Sequence, residues 1–256
     1  IVFHAAALKH VPVVEYNPFE AINTNVFGSQ NVIDACLHEN VEIAVAVGTD
    51  KAVSPLNTYG ATKLLMEKLF VTASNYLDKK RHKTKFIALR YGNVLGSSGS
   101  VIPKFINQIK SNQKITITDS SMTRFSITMD EALDFILNST SIGKGSEVFI
   151  PKLRSYTVGD LADSLQDLLK GSGIDKIPVR QGEKFHETLI NHDELRNTIE
   201  GESYYIIKQN EISDSEIAEQ YQGMKRIDLT EAYSSDKVEN IPKDELKKLL
   251  SNSGLF

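Results

Sequence analysis

Two groups of side chains in this sequence have the types and spacing for proton chemistry. Tyr59 and Lys63 lie four residues apart in a helix-forming run, so both project from one helix face. A phenol with an ordinary pKa of about 10 is a poor base at neutral pH. A nearby ammonium favours the phenolate and lowers that value, which suits the pair to taking a proton from a hydroxyl. Upstream, Thr49-Asp50-Lys51 offers a hydroxyl, a carboxyl and an amine in succession. Lys51 must be neutral to act as a base, and Asp50 must hold a proton to act as an acid. Both conditions need pKa shifts from burial or neighbours. In isolation, Tyr-x-x-x-Lys describes an ordinary helix face and Asp-Lys a solvated surface pair. Here they sit together just after an apolar run, and that placement favours the chemical reading.

The elements around these residues alternate. Ile1–Ala7 reads as a strand, residues 18–40 as a helix with Pro18 in its first turn, and Val41–Val47 as a strand covered on both faces. Residues 59–80 have helical spacing, with Leu64, Leu65, Leu69, Phe70 and Ala73 as the apolar stripe, and Phe86–Tyr91 is another strand. This β-α-β-α-β order predicts a parallel sheet with right-handed crossovers. Thr49–Lys51 then falls at the carboxyl end of a parallel strand, where open α/β sheets bind ligands. Further on, helices are expected at Ile102–Lys110, Asp130–Asn138 and Thr157–Lys170, the last stopped by Gly171-Ser172-Gly173. Strands are expected at Lys114–Thr118 and Glu147–Ile150. Gly96-Ser97-Ser98-Gly99 lacks the endings of a phosphate-binding loop and reads as a turn lining a cleft.

The 256 residues suffice for one large domain or two small ones. A net charge of -4 gives no bulk attraction to nucleic acid or anionic membrane. Cys36 is the one cysteine, which fits a reducing compartment and a buried structural role. No apolar run approaches membrane-span length. His4, His10, His38, His82, His186 and His192 have no metal-ligand spacing, and no metal is expected.

The run Gly48-Thr49-Asp50-Lys51-Ala52-Val53-Ser54-Pro55-Leu56-Asn57-Thr58-Tyr59-Gly60-Ala61-Thr62-Lys63 resembles the extended short-chain dehydrogenase/reductases. Within them it resembles the inverting UDP-N-acetylglucosamine 4,6-dehydratases that start pseudaminic acid synthesis, of the polysaccharide biosynthesis protein family. Further matches follow in order: Arg90-Tyr91-Gly92-Asn93-Val94, Gly99-Ser100-Val101-Ile102-Pro103, Met122-Thr123-Arg124-Phe125, Gly182-Glu183-Lys184-Phe185-His186-Glu187 and Tyr233-Ser234-Ser235.

The resemblance implies an α/β fold, a Rossmann-like doubly wound parallel sheet with a smaller carboxyl-terminal α/β substrate-binding region. Residues 1–152 are expected to be mainly the NAD(P)-binding domain, with a substrate-side insertion near 97–125. Residues 153–256 are expected to be mainly substrate-binding. It also implies roles. Tyr59 takes the proton of the 4-hydroxyl as hydride leaves C4 for the nicotinamide, Thr49 bonds the 4-oxygen, Lys51 removes the C5 proton and Asp50 protonates the departing C6 hydroxyl. Hydride returns to C6 and C5 is inverted. Lys63 holds the nicotinamide ribose; Ala5, Ala6, Ala7, Tyr91 and Gly92 lie near the cofactor. Lys9, Asn93, Lys104, Arg180 and Glu183 are candidates for binding the UDP-sugar. The implied cofactor is NADP or NAD, tightly bound and recycled, in a cytoplasmic homo-oligomer.

The opening residues read as a strand already under way, and the sequence is read as a fragment. The Gly-rich dinucleotide loop and first strands are expected ahead of residue 1, so the chain by itself is expected to bind cofactor poorly. Gly48 stands where the family usually has Ser, Ser98 for Arg, Ser126 for Trp and Gln181 for Pro. The competing readings are a UDP-sugar 4-epimerase, a combined dehydratase and epimerase of capsule synthesis, and a non-catalytic sugar-nucleotide-binding protein. Tyr59 counts against the second, whose members often carry Met there. The five residues Thr49, Asp50, Lys51, Tyr59 and Lys63 together count against the third.

Overall fold

The structure, a computed structural model, describes residues 1–74 and 82–256. It begins with β1 (Val2–His4) and α1 (Val11–Tyr16). A helical run follows, made of α2 (Pro18–Ala21), a π-helical turn (Ile22–Phe27) and α3 (Gly28–His38). Then come β2 (Ile43–Val47), a 3-10 turn (Asp50–Ala52), α4 (Thr58–Ala73) and β3 (Lys85–Leu89). The middle holds β4 (Asn93–Val94), α5 (Val101–Lys110), β5 (Ile115–Ile117), β6 (Thr123–Ile127), α6 (Met129–Ile142) and β7 (Glu147–Pro151). Next are β8 (Ser155–Thr157), α7 (Val158–Leu169), β9 (Ile174–Lys176), β10 (Thr188–Ile190), a second 3-10 turn (His192–Asn197) and β11 (Thr198–Glu200). The chain ends with β12 (Tyr204–Lys208), α8 (Asp214–Gln220), β13 (Lys225–Arg226), β14 (Tyr233–Ser234) and α9 (Lys243–Asn252). Residues 75–80 of the expected helix 59–80 lie outside the described residues. Among the described residues no helix is long and apolar enough to cross a membrane.

The chain forms two compact units: Ile1–Tyr91 with Leu133–Lys152 and Thr188–Tyr233, and Gly92–Ala132 with Leu153–Glu187 and Ser234–Phe256. The first is built on a sheet ordered β1-β2-β3-β7-β12-β11-β13 among the described residues. β1, β2, β3 and β7 pair in parallel, as expected of strands apolar on both faces. β12, β11 and β13 extend the sheet antiparallel. Alternation sorts the two faces. Ile43, Val45, Ile87, Leu89 and Phe149 point into one cluster with Ile206, Ile212 and Ile217. The intervening Ala44, Ala46 and Ala88 are small and fully buried, and α4 runs along both β2 and β3. Phe70 of α4 sets its ring edge-on to Phe86 at 5.9 Å.

The expected strand 1–7 stops at His4. His4 pairs with Ala46, and β2 itself ends one residue later, so Ala5–Ala7 have no ladder to join and follow the strand instead of ending it. The expected helix at 157–170 runs Val158–Leu169, with the Thr157 hydroxyl capping Asp160 N. Its left-handed stop is Lys170 at φ 54°, one residue ahead of the Gly171-Ser172-Gly173 run.

A buried ion cluster fastens α4 to the end of β3. All five N–H donors of Arg90 are used: on both oxygens of Glu67, both oxygens of Glu194 and the Leu189 carbonyl, at 2.7 to 3.0 Å. Two carboxylates around one guanidinium leave a net negative charge one helical turn from Lys63.

The second unit has its own core, with Ile102, Phe105 and Ile106 of α5, Leu161 and Leu165 of α7 and Leu246 and Leu250 of α9. β6 pairs in parallel with β4 and antiparallel with β8, and β5 pairs with β9. Gly96 and Gly99 both take left-handed φ values, so the 96–99 segment is a turn.

Candidate active site

Thr49–Lys51 leave the sheet through Gly48. A Cβ on Gly48 would fall 2.1 Å from the Leu89 carbonyl oxygen, so in this chain the carboxyl ends of β2 and β3 approach more closely than a side chain at 48 would allow. Asp50 N–H then donates to the Tyr91 carbonyl at 3.1 Å. The 3-10 turn is capped by Thr49, whose hydroxyl accepts from Lys51 N and donates to Asp50 Oδ1 at 2.9 Å. Asp50 is 0% exposed, and Lys51 Nζ donates to the same Oδ1 at 3.0 Å. The Lys51 side chain is 25% exposed. Asp50 and Lys51 thus form a tight pair with the carboxylate inside and the amine at the surface, not a solvated pair.

α4 starts against this turn. Asn57 Oδ1 accepts from Gly60 N at 2.8 Å. A Cβ on Gly60 would lie 2.2 Å from the Lys51 carbonyl oxygen and 2.9 Å from Pro55 Cβ. Gly60 therefore lets the helix carry Tyr59 up to Lys51. Gly60→Ala is expected to lower turnover about 100-fold by forcing these backbones apart. Gly28→Ala is the control: its nearest contact would be an ordinary 3.6 Å, and helix propensity should then raise stability by about 0.5 kcal/mol with turnover unchanged. Steady-state rates and thermal unfolding of the two variants check both statements.

Tyr59 is 8% exposed, and its ring packs with Val11, Val14 and Ala21. Burial pushes its phenol up to about 12; the Lys51 charge opposes this, Asp50 adds to it, and a hydrogen bond with the Thr49 side chain opposes it. The net effect is a phenol above its ordinary value, whereas the Tyr-x-x-x-Lys spacing led to an expected lowering. Lys63, 3% exposed, turns its Nζ to the Val47 carbonyl at 2.7 Å and to Met66 Sδ at 3.1 Å. Burial pulls its amine down to about 8, against the attraction of Glu67.

A buried polar network beneath these residues escaped the sequence reading. His4 Nε2 meets Ser29 Oγ at 2.9 Å, and Ser29 Oγ donates to the Asn25 carbonyl at 2.6 Å. Asn25 grips Leu8 at both ends, accepting from its N–H at 2.8 Å and donating to its carbonyl at 3.0 Å. Asn25 also donates to Thr62 Oγ1, which donates to the Tyr59 carbonyl. The π-helical turn presents Asn25 inward and so ties the segment after β1 to the helix of Tyr59 and Lys63. The available signal was polar Asn25 and Ser29 in step with Ala21, Ile33 and Cys36 on the buried side of the helix.

Ala5 and Ala6 are exposed and Ala7 half-buried, so small side chains leave the backbone open to close approach. Lys9 is exposed. Tyr91 is half-buried, and burial raises its phenol.

The remaining sequence candidates lie in the second unit. Gly92 has room for no side chain, since a Cβ would meet Phe125 Cβ at 2.3 Å. Asn93 is in β4 opposite Ser126. Lys104 donates to Thr116 Oγ1 at 3.0 Å; burial lowers its amine, Arg180 adds to that and Glu183 opposes it. Glu183 accepts from Arg180 N and from Thr118 Oγ1. Arg124, absent from the sequence candidates, lies 3.7 Å from Glu183 and 4.0 Å from Glu187. Lys104, Arg124, Arg180 and Glu183 thus form one charged cluster. Among the described residues no group of three or more His, Cys, Asp or Glu side chains could hold a metal ion.

Residues 1–209 match the polysaccharide biosynthesis protein family. The chain is 45% identical over 233 residues to UDP-N-acetylglucosamine 4,6-dehydratase (inverting) of Campylobacter jejuni subsp. jejuni serotype O:2, covering 88% of this chain and 68% of that protein. It is 41% identical over 253 residues to UDP-glucose 4-epimerase of Rickettsia bellii, covering 98% and 73%. Among solved structures, the X-ray structure of Pen from Bacillus thuringiensis aligns with a TM-score of 0.89 at 41% identity, covering 100% of this chain and 75% of that one.

Proposed function

The chain belongs to the polysaccharide biosynthesis protein family, and from that premise we propose that it is a UDP-N-acetylglucosamine 4,6-dehydratase. It uses a tightly held NADP or NAD and works as a cytoplasmic homo-oligomer. The observation that carries this reading is the buried Asp50 with Lys51 Nζ on its carboxylate at 3.0 Å, next to Tyr59. A 4-epimerase has only to move a hydride and the O4 proton. Elimination of water needs a base and an acid besides, and Asp50 and Lys51 supply both.

Each residue has a defined task. Bound NADP or NAD supplies the hydride acceptor for C4 and the donor for C6. Thr49 hydrogen-bonds the 4-oxygen, and Tyr59 takes the 4-hydroxyl proton. The C4 ketone acidifies C5–H, and neutral Lys51 removes that proton. Protonated Asp50 donates to the leaving C6 hydroxyl, which departs as water. Lys51 is then an ammonium and Asp50 a carboxylate, and the 3.0 Å between Nζ and Oδ1 is short enough for a proton to pass between them. Passing one proton from Lys51 to Asp50 across that hydrogen bond restores the neutral pair. Tyr59 gives up the proton it took from O4 and C5 gains one on the opposite face, so Tyr59, Lys51 and Asp50 all end in their starting states. Lys63 orients the nicotinamide ribose while Ala5, Ala6, Ala7, Tyr91 and Gly92 line the cofactor. Lys9 reaches the sugar. Asn93, Lys104 and Arg180 serve the diphosphate and Glu183 the ribose hydroxyls.

The test is incubation of the full-length protein with UDP-N-acetylglucosamine in deuterated water, followed by mass spectrometry and proton NMR. Loss of one water with deuterium at C5 is expected, and the C5 coupling reports inversion. The 41% identity to a UDP-glucose 4-epimerase supports the rival reading. An unchanged mass with a galacto-configured product would establish that one instead.

A further inference from the structure

Helix α1 lies against the first turn of α4. Val14, fully buried, packs with Val11 and Ala21 around the Tyr59 ring. The next residue, Glu15, is half-buried and accepts the backbone N–H of Thr58 on its Oε1. Thr58 is the first residue of α4 and the neighbour of Tyr59. A helix leaves its first four N–H groups without partners of its own. Asn57 serves one of them, at Gly60, from within the chain's own turn. Glu15 serves another from a different element. A six-residue helix such as α1 has no stability by itself, so its seat depends on such contacts. The apolar side of α1 covers the tyrosine, and its Glu15 carboxylate grips the residue beside it.

We propose that Glu15 is a positioning residue for the tyrosine base: it latches α1 to the start of α4 and so fixes the Tyr59 ring relative to Thr49 and Lys51. The latch rests on the dehydratase reading only for its effect on rate. Its mechanical part stands on the α1–α4 contact. What Thr58 needs is an oxygen acceptor at this point, so the acceptor and not the negative charge is the working feature. Glu15→Gln keeps a carbonyl oxygen there; Glu15→Ala removes it.

The experiment compares these two variants in the cofactor-loaded protein. In Glu15→Ala, kcat falls about 30-fold with KM for the UDP-sugar changed less than about threefold, as expected when a catalytic group is misplaced but binding is kept. Glu15→Gln stays within about threefold of the wild-type kcat. Amide hydrogen exchange at Thr58 accelerates about tenfold or more in Glu15→Ala only. Should Glu15→Ala fail to fold, Glu15→Met takes its place, keeping the bulk of the side chain without an oxygen acceptor, and the same fall in kcat and faster Thr58 exchange are expected. The proposal is overturned by an unchanged kcat in the variant without the acceptor, by unchanged Thr58 exchange in it, or by Glu15→Gln behaving like it. A wild-type protein that eliminates no water overturns the dehydratase reading instead, and Thr58 exchange then decides the latch.

Discussion

Asp50→Asn and Lys51→Met each lower water elimination about 10³-fold, and they do so at different steps. Lys51→Met removes the amine that takes the C5 proton, so substrate recovered from deuterated water carries no label at C5. Asp50→Asn removes the acid and leaves the amine. With the amine in place, C5 deprotonation continues although the C6 hydroxyl does not leave. Unconverted substrate from Asp50→Asn therefore accumulates deuterium at C5. The double variant is about as slow as Lys51→Met, because nothing eliminates until C5 is deprotonated. NMR of residual substrate separates the cases. Label at C5 with Lys51→Met, or none with Asp50→Asn, would reverse the two assignments or remove them.

The parts of this site legible in the sequence are those set by composition over a short span. Ile43-Ala44-Val45-Ala46-Val47 and Phe86-Ile87-Ala88-Leu89 are apolar on both faces, and both are central parallel strands. The Thr49–Lys63 spacing placed five polar groups at one strand end. What stayed hidden depends on backbone turns that spacing does not encode. Lys51 bears on Tyr59 because a 3-10 turn brings it round, whereas Lys63, one helical turn away, is drawn off to the Val47 carbonyl. The π-helical turn that presents Asn25 inward has no composition of its own. Glycines 48 and 60 look alike in a sequence; at each a carbonyl from another element comes close, to 2.1 Å and 2.2 Å respectively of where a Cβ would lie. The antiparallel β12 pairs with β7 across more than fifty intervening residues, and Tyr204–Lys208 is too short a run to announce it.

Lys63→Met is expected to cost activity and to gain stability at neutral pH. The amine's pKa is about 8 in the folded protein against 10.5 for the ordinary side chain. Between those values the unfolded chain binds more protons than the folded one, so wild-type stability rises with pH through that window. Below about pH 8 the buried ammonium carries the full penalty; near 10.5 the penalty is gone. A shift of this size corresponds to about 3 kcal/mol at most, and Lys63 is buried enough that solvent screening removes little of it. Losing the hydrogen bond to the Val47 carbonyl offsets about 1 kcal/mol. Lys63→Met should therefore unfold at a higher temperature than the wild type at pH 7. The advantage should shrink above pH 8 and reverse near 10.5, where only the lost hydrogen bond remains. Turnover meanwhile falls about 100-fold, since Met holds no ribose hydroxyl. Thermal unfolding of both proteins from pH 6.5 to 10.5 decides the matter. A variant less stable than the wild type at pH 7 would mean that the Val47 bond outweighs the desolvated charge, and that Lys63 is kept by the fold as well as by the reaction.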